Sequence, residues 1–140
     1  MPSHAEHLTA MIEALNAGDH DRFVELSEGA TYHEPATGRT VRDDDLRAVF
    51  ASWRAAFPDL RGEVVSVVEN ATTVAGEVFF TGTHSGTFAT ADGGQIPASG
   101  NAVEQTQVLV GHYENGILAR MTRYFDALGI LRQMGAASLP

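Results

Sequence analysis

Apolar residues recur along this chain with two different periods, and the change of period divides it. Leu8, Met11, Ile12 and Leu15 follow one another at steps of three and four, the spacing of one face of a helix. Ser3 and Glu6 form a capping box that opens this helix, and Gly18 closes it. A second, shorter helix is expected from Asp19 as cap through Phe23, Val24 and Leu26. The stretch "GATYHE" then reads as a short strand ending at Pro35, because the residue before a proline is driven into extended geometry. A third helix starts at the acids Asp43 to Asp45, which suit the positive end of a helix dipole. It carries Leu46, Val49, Phe50, Trp53 and Phe57 on its buried side and ends at Pro58.

Beyond this point the period becomes two. "GEVVSVVEN" and "TVAGEVFFTGTH" are consecutive strands with a turn at Glu69 to Thr72 between them. "SGTFATADGGQIPASGN", rich in Gly, Ser and Ala and broken by a proline, reads as a long loop or irregular hairpin. Two further strands, about 102 to 113 and about 117 to 126, flank Asn115 and Gly116, the residue pair that a tight two-residue hairpin turn requires. "ALGILRQMG" closes the chain as a short helix. Helices followed by a curved, mostly antiparallel sheet predict an α+β fold, with residues 1–140 as one domain.

The last hairpin predicts that the sheet encloses a hollow. With Asn115 and Gly116 as the loop, regular pairing sets Gln105 opposite Asp126, Gln107 opposite Tyr124 and Leu109 opposite Thr122, all on one face. Two amides, a phenol and a carboxylate among leucine suit a ligand cavity better than a dry core. The same register puts Val108, Val110, Met121 and Phe125 on the opposite face beside Glu104, His112 and Arg123. That mixture predicts a subunit interface and hence a homodimer.

Charge and composition exclude several classes. Nine arginines, no lysine and 18 acids leave a formal net charge of -9, a surface that repels phosphate backbones and argues against nucleic acid as a partner. The absence of cysteine removes disulfides, thiolate nucleophiles and Cys-type zinc sites. No apolar run is long enough for a membrane-spanning helix and the first residues lack the pattern of a signal peptide, so the expected location is the cytoplasm.

Two places carry candidate chemistry. Asp126 ends its strand immediately before the last helix, where it serves either as that helix's N-cap or, through its pairing with Gln105, as a carboxylate of the cavity. His33 and Glu34 are neighbours on a strand, so at most one of them enters the cavity. "GTHSG" around His84 is not a nucleophile elbow, since Ser85 stands one place too late. His4 and His7 lack a third ligand, and "ADGGQ" lacks the flanking strand and helix of a phosphate loop. Trp53 and Phe57 are expected in the core, which in a hollow domain is also the pocket wall.

The stretches "YHEPATG", "ASWRAAFPDLRGEV", "FTGTHSGTF", the "IPASGNAVE" run, "ENGIL" and "YFDALGILRQMG", in this order over about residues 8 to 135, resemble the SnoaL-like polyketide cyclases. These belong to the superfamily of nuclear transport factor 2 and ketosteroid isomerase. The resemblance implies a cone-shaped α+β barrel with N-terminal helices packed on the sheet and a pocket inside. It implies Asp126 as the acid/base of an intramolecular aldol ring closure that uses no metal or organic cofactor. By similarity to ketosteroid isomerase, Glu34 before Pro35 is a second carboxylate facing the pocket, with His33 turned away. Gln105, Gln107 and Tyr124 would hold the carbonyl of a small apolar or polyketide-like ligand, with His84, Trp53 and Leu109 along the wall. The chain departs from the cyclases in having Glu34 where they carry asparagine and Leu109 where they carry histidine. Isomerisation, epoxide hydrolysis by the two carboxylates, and ligand binding or dimerisation without catalysis therefore remain open alternatives.

Overall fold

A computed structural model describes residues 2–137. The chain opens with α1 (His4–Ala17) and α2 (His20–Leu26), followed by strands β1 (Thr31–Glu34) and β2 (Arg39–Val41) and helix α3 (Asp43–Ala56). Strands β3 (Arg61–Glu69) and β4 (Thr73–Thr83) come next, then the two-residue strands β5 (Phe88–Ala89) and β6 (Gln95–Ile96). The chain continues through β7 (Ala102–Glu114) and β8 (Ile117–Tyr124) to α4 (Ala127–Gln133). The predicted α+β class is the one observed. β2 was not expected, and the segment read as an irregular loop contains the small β5–β6 hairpin.

Local chemistry sets the helix ends. The Ser3 hydroxyl accepts from the Glu6 amide at 3.1 Å and Asp19 accepts from the Arg22 amide at 3.0 Å, each satisfying an amide that the first turn leaves unpaired. Gly18 ends α1 in the left-handed conformation at φ 66°, which costs glycine nothing. The Asn16 side chain both donates to Gly62 O at 2.9 Å and accepts from Gly62 N at 2.7 Å, fastening the end of α1 to β3.

Six strands form one sheet in the order β2-β1-β8-β7-β4-β3; β1 and β8 run parallel and the other neighbours antiparallel. Helices α1 to α3 cover its inner face. Gly76 on β4 has no side chain because Leu8 of α1 occupies that space, so the helix sits directly on the strand. Leu8, Met11, Leu46, Val74, Val78 and Met121 are almost wholly buried at the centre of the main core. A second apolar cluster, around Ala56, Phe57, Val103, Ile130 and Met134, closes the other side.

The β7–β8 hairpin corrects the predicted register. Asn115 (φ 53°) and Gly116 (φ 78°) do form the tight turn, and Glu114 pairs with Ile117 and Tyr113 with Leu118. The pairing then slips: His112 faces Arg120, leaving Ala119 without a partner, and Leu109 faces Arg123 rather than Thr122. The cause is apolar. Leu118 and Met121 are three apart and both buried, at 5% and 0% exposure, which a regular strand cannot achieve on one face; a bulge at Ala119 brings both inward. Every side chain of β8 beyond the bulge thereby changes face. Arg123 points in and Tyr124 points out.

Candidate active site

Strand β1 alternates half-buried and buried residues, so Tyr32 and Glu34 face inward while His33 faces outward and hydrogen-bonds Thr40 on β2 at 2.7 Å. The turn after Pro35 closes with the Gly38 amide donating to Glu34 O at 2.9 Å, with Gly38 at a φ of 72° that favours glycine. This turn returns Arg39 to Glu34 five residues on. The Arg39 guanidinium donates through Nε and Nη2 to Glu34 Oε1, at 3.2 and 2.9 Å, and the Thr37 hydroxyl donates to the same oxygen at 3.3 Å. From β8, Arg123 Nη2 donates to Glu34 Oε2 at 2.6 Å. Both oxygens of this carboxylate, 1% exposed, are therefore committed to guanidinium groups.

The hydrogen bonds continue along the wall. Arg123 Nη1 donates to Gln107 Oε1 at 3.3 Å, and Gln107 Nε2 donates to Gln105 Oε1 at 3.3 Å. The Gln105 amide then clamps the backbone of Asp126, donating to its carbonyl at 3.0 Å and accepting from its N–H at 3.2 Å. One polar chain thus runs from Arg39 through Glu34, Arg123, Gln107 and Gln105 to Asp126. The Arg123 guanidinium carbon lies 4.8 Å from the centre of the Trp53 ring and 4.2 Å from that of the Phe125 ring, a cation–π arrangement. The Arg123 Nε is buried with no hydrogen-bond partner among the described residues.

This chain borders a cavity between the sheet and the helices. The opposite walls are apolar, built from Phe23, Leu46, Val49, Phe50 and Trp53, with Ile130 of α4 at one side. Tyr32 adds a phenol that burial pushes up to about 12, so it stays a protonated hydroxyl. An apolar cavity with a few convergent polar groups on one wall has the composition of a small-molecule site.

Of the residues expected at the site, Glu34, Gln105, Gln107 and Trp53 line this cavity. Four lie elsewhere. Tyr124 is 51% exposed on the outer face of the sheet, as the Ala119 bulge requires. Leu109 does face inward but is packed in the main core behind the cavity wall. His84 is wholly buried beside Phe57, with its Nδ1 held by the Ser99 hydroxyl at 2.8 Å and the Ser99 amide at 3.2 Å, and it is outside the lining. Asp126 is exposed at the end of the polar chain and caps α4, its Oδ1 accepting from the Gly129 amide at 2.9 Å. The expected pairing of Gln105 with Asp126 is replaced by the clamp of the amide on the aspartate's backbone. The interface residues change as well: Met121 is a core residue, and Phe125 packs edge-on against Trp53 at 5.8 Å.

Arg39 and Arg123 were missed. The signal for Arg123 was present in the spacing of Leu118 and Met121, which a regular hairpin cannot bury together. For Arg39 the signal was the glycine three residues after Pro35, which returns the chain.

Among the described residues no cluster of three His, Cys, Asp or Glu side chains is placed to hold a metal ion. His4 and His7 instead serve packing at the β7–β8 turn. His4 stacks on the Tyr113 ring at 3.8 Å, and His7 Nε2 donates to Leu26 O at 3.0 Å. That bond leaves His7 Nδ1 to accept from the Tyr113 hydroxyl at 2.7 Å.

The family model described as SnoaL-like polyketide cyclase matches residues 5–134. Solved structures with the same fold include AclR, a proposed hydroxylase from Streptomyces galilaeus. It is 22% identical with a TM-score of 0.78, and the match covers 99% of this chain and 87% of that one. A protein from Catenulispora acidiphila with a ketosteroid isomerase-like fold matches at 15% identity and TM-score 0.78, over 99% of this chain and all (100%) of that one. A SnoaL-like polyketide cyclase from Agrobacterium tumefaciens matches at 24% identity and TM-score 0.73, over 96% and 100%. No curated protein matches the sequence.

Proposed function

Because the chain belongs to the SnoaL-like polyketide cyclase family, we propose that it is an enzyme of cofactor-independent acid/base chemistry on an apolar carbonyl compound. Its reaction in this reading is an aldol cyclisation of a polyketide-like substrate or a related proton transfer. The observation that carries the proposal is the polar chain from Glu34 to Asp126 along one wall of an otherwise apolar cavity. Removing a proton next to a carbonyl places negative charge on the carbonyl oxygen, and fixed donors in a water-poor site stabilise that charge. Arg123, with Gln107 and the Tyr32 hydroxyl near it, supplies such donors.

The two carboxylates take different parts. Glu34 spends both oxygens on Arg39 and Arg123, so its part is to orient Arg123. Asp126 binds only one amide through Oδ1, and in this proposal its exposed side chain accepts a proton through Oδ2 from a substrate that extends beyond the cavity lining. The engagement of Glu34 disfavours a hydrolase in which both carboxylates activate water. Two chains pair through the outer sheet face in this proposal, where the exposed Val68 and Tyr124 flank Val108 and Val110.

Hydrogen–deuterium exchange next to the carbonyl of apolar ketones such as 2-tetralone, followed by NMR in heavy water, tests the proposal without knowledge of the natural substrate. The expected result is exchange faster than in buffer alone, unaffected by chelators and lost in Asp126→Asn. Ketones that bind but never exchange faster than in buffer would make the protein a binding module.

A further inference from the structure

The charges around the cavity do not balance. Glu34 and Arg123 are the charged side chains of its lining, but Arg39 neutralises Glu34 from behind with two N–H groups on Oε1. One carboxylate is thus shared by two guanidinium groups. Arg39 is partly solvated, its side chain 31% exposed, whereas that of Arg123 is 10% exposed. The unmatched positive charge accordingly lies at Arg123.

Buried charges are ordinarily paired and hydrogen-bonded. The Trp53 and Phe125 rings ease the burial of Arg123 by cation–π attraction, but they offer its N–H groups no oxygen or nitrogen acceptor. A guanidinium has five N–H bonds. Protein acceptors take one on Nη1 and one on Nη2, and the Nε–H is buried without any among the described residues. The protein as a whole carries a net charge of -9, so this internal cation opposes the general trend of the chain.

We infer that the cavity selects ligands carrying one negative charge, a carboxylate or a stabilised enolate, set against Arg123 with the apolar body of the ligand against Phe23, Leu46, Phe50 and Trp53. The inference rests on the cavity being the ligand site and adds the charge of what enters it. In such a ligand the anionic oxygen takes the open N–H groups of Arg123, and Glu34 becomes its internal competitor for the same guanidinium. A neutral ligand of equal shape gains the apolar contacts alone.

Trp53, the one tryptophan of the chain, lines the cavity beside Arg123, so its fluorescence reports occupancy. Titration at pH 7 with 1-adamantanecarboxylate and with the neutral 1-adamantanecarboxamide, matched in shape, tests the inference. The carboxylate should bind at least about tenfold more tightly than the amide. Arg123→Gln should abolish that preference. Glu34→Gln, which frees Arg123 of its competitor, should increase it. A protein that binds both probes equally would overturn the charge selection and leave the cavity as a ligand site, whereas one that binds neither would overturn the ligand site too. A preference that persists undiminished in Arg123→Gln, or that falls in folded Glu34→Gln, would also refute the inference.

Discussion

Arg123 and Glu34, 89 residues apart in sequence, meet at 2.6 Å and join the end of β8 to the end of β1 at the cavity wall. Parallel pairing of these strands sets Tyr32 beside Met121 and His33 beside Thr122, which carries the next inward side chains, Glu34 and Arg123, to the same level. Removing Glu34 strands Arg123 in a poorly solvated place, a loss of about 3 kcal/mol, whereas removing Arg123 leaves Glu34 its two bonds from Arg39. Glu34→Met should therefore cost about that much in urea unfolding and Arg123→Met less, and the double variant should cost clearly less than their sum. Strict additivity would show that the two residues are not energetically coupled.

Asp126 gives a contrasting expectation. Its Oδ1 caps α4, and asparagine caps nearly as well, so Asp126→Asn should leave the unfolding midpoint almost unchanged. Proton exchange from a bound ketone should nevertheless fall by roughly 10²- to 10⁴-fold. A variant equally stable and equally active would reduce Asp126 to a helix cap. His33→Ala is the companion control: its ring faces Thr40 away from the cavity, and exchange should not respond to its loss.

The helices and most strand positions were legible because each rests on local chemistry: Ser3 and Asp19 cap, Gly18 stops, Asn115 and Gly116 turn. Alternation before Pro35 limited the cavity to one of His33 and Glu34, and the choice of Glu34 came from the resemblance to ketosteroid isomerase, not from its neighbours. What failed was a count across the hairpin. The turn fixes the register only as far as Tyr113 and Leu118, and the bulge at Ala119 is decided by the burial of Met121 against residues distant in sequence. A single unpaired residue thereby exchanged Tyr124 for Arg123 in the cavity. The same sensitivity explains why Met121 and Phe125 were assigned to an outer face they do not occupy.

The corrected face makes its own prediction for assembly. Val68, at 70% exposure, Ala75, Val110 and Thr122 lie in one row across the outer sheet surface, with Tyr124, Val108 and Glu77 in the next. Light scattering should therefore report about twice the 15.0 kDa chain mass. Val110→Glu should yield monomers of unchanged helix and strand content, because a charge there meets the partner and not the core. A wild-type protein that stays monomeric at all concentrations would dismiss this interface.

Stability should also depend on pH through His7, which holds α1 to both the end of α2 and the β7–β8 turn. Burial, above all, lowers its pKa from the ordinary value of 6.5, with His4 and Arg22 adding repulsion and the bond to Leu26 O opposing the shift. The neutral ring suits the geometry: Nε2 donates to Leu26 O, and Nδ1 accepts from Tyr113, whose hydroxyl burial holds protonated up to about 12. A lowered value means that the folded state binds fewer protons than the unfolded chain just below pH 6.5. The contribution of His7 is therefore fully present above that pH and is lost as the pH falls through the folded-state value. Other histidines titrate as well, so the comparison must be with His7→Gln. The urea midpoint of the wild type should exceed that of the variant by a constant margin at pH 7.5 to 8.5 (~1 unit above the free imidazole value and beyond). That margin should shrink as the pH falls below 6.5. A margin that grew on acidification would mean that His7 is held as a cation, and the assignment of its Nδ1 as the acceptor for Tyr113 would be wrong.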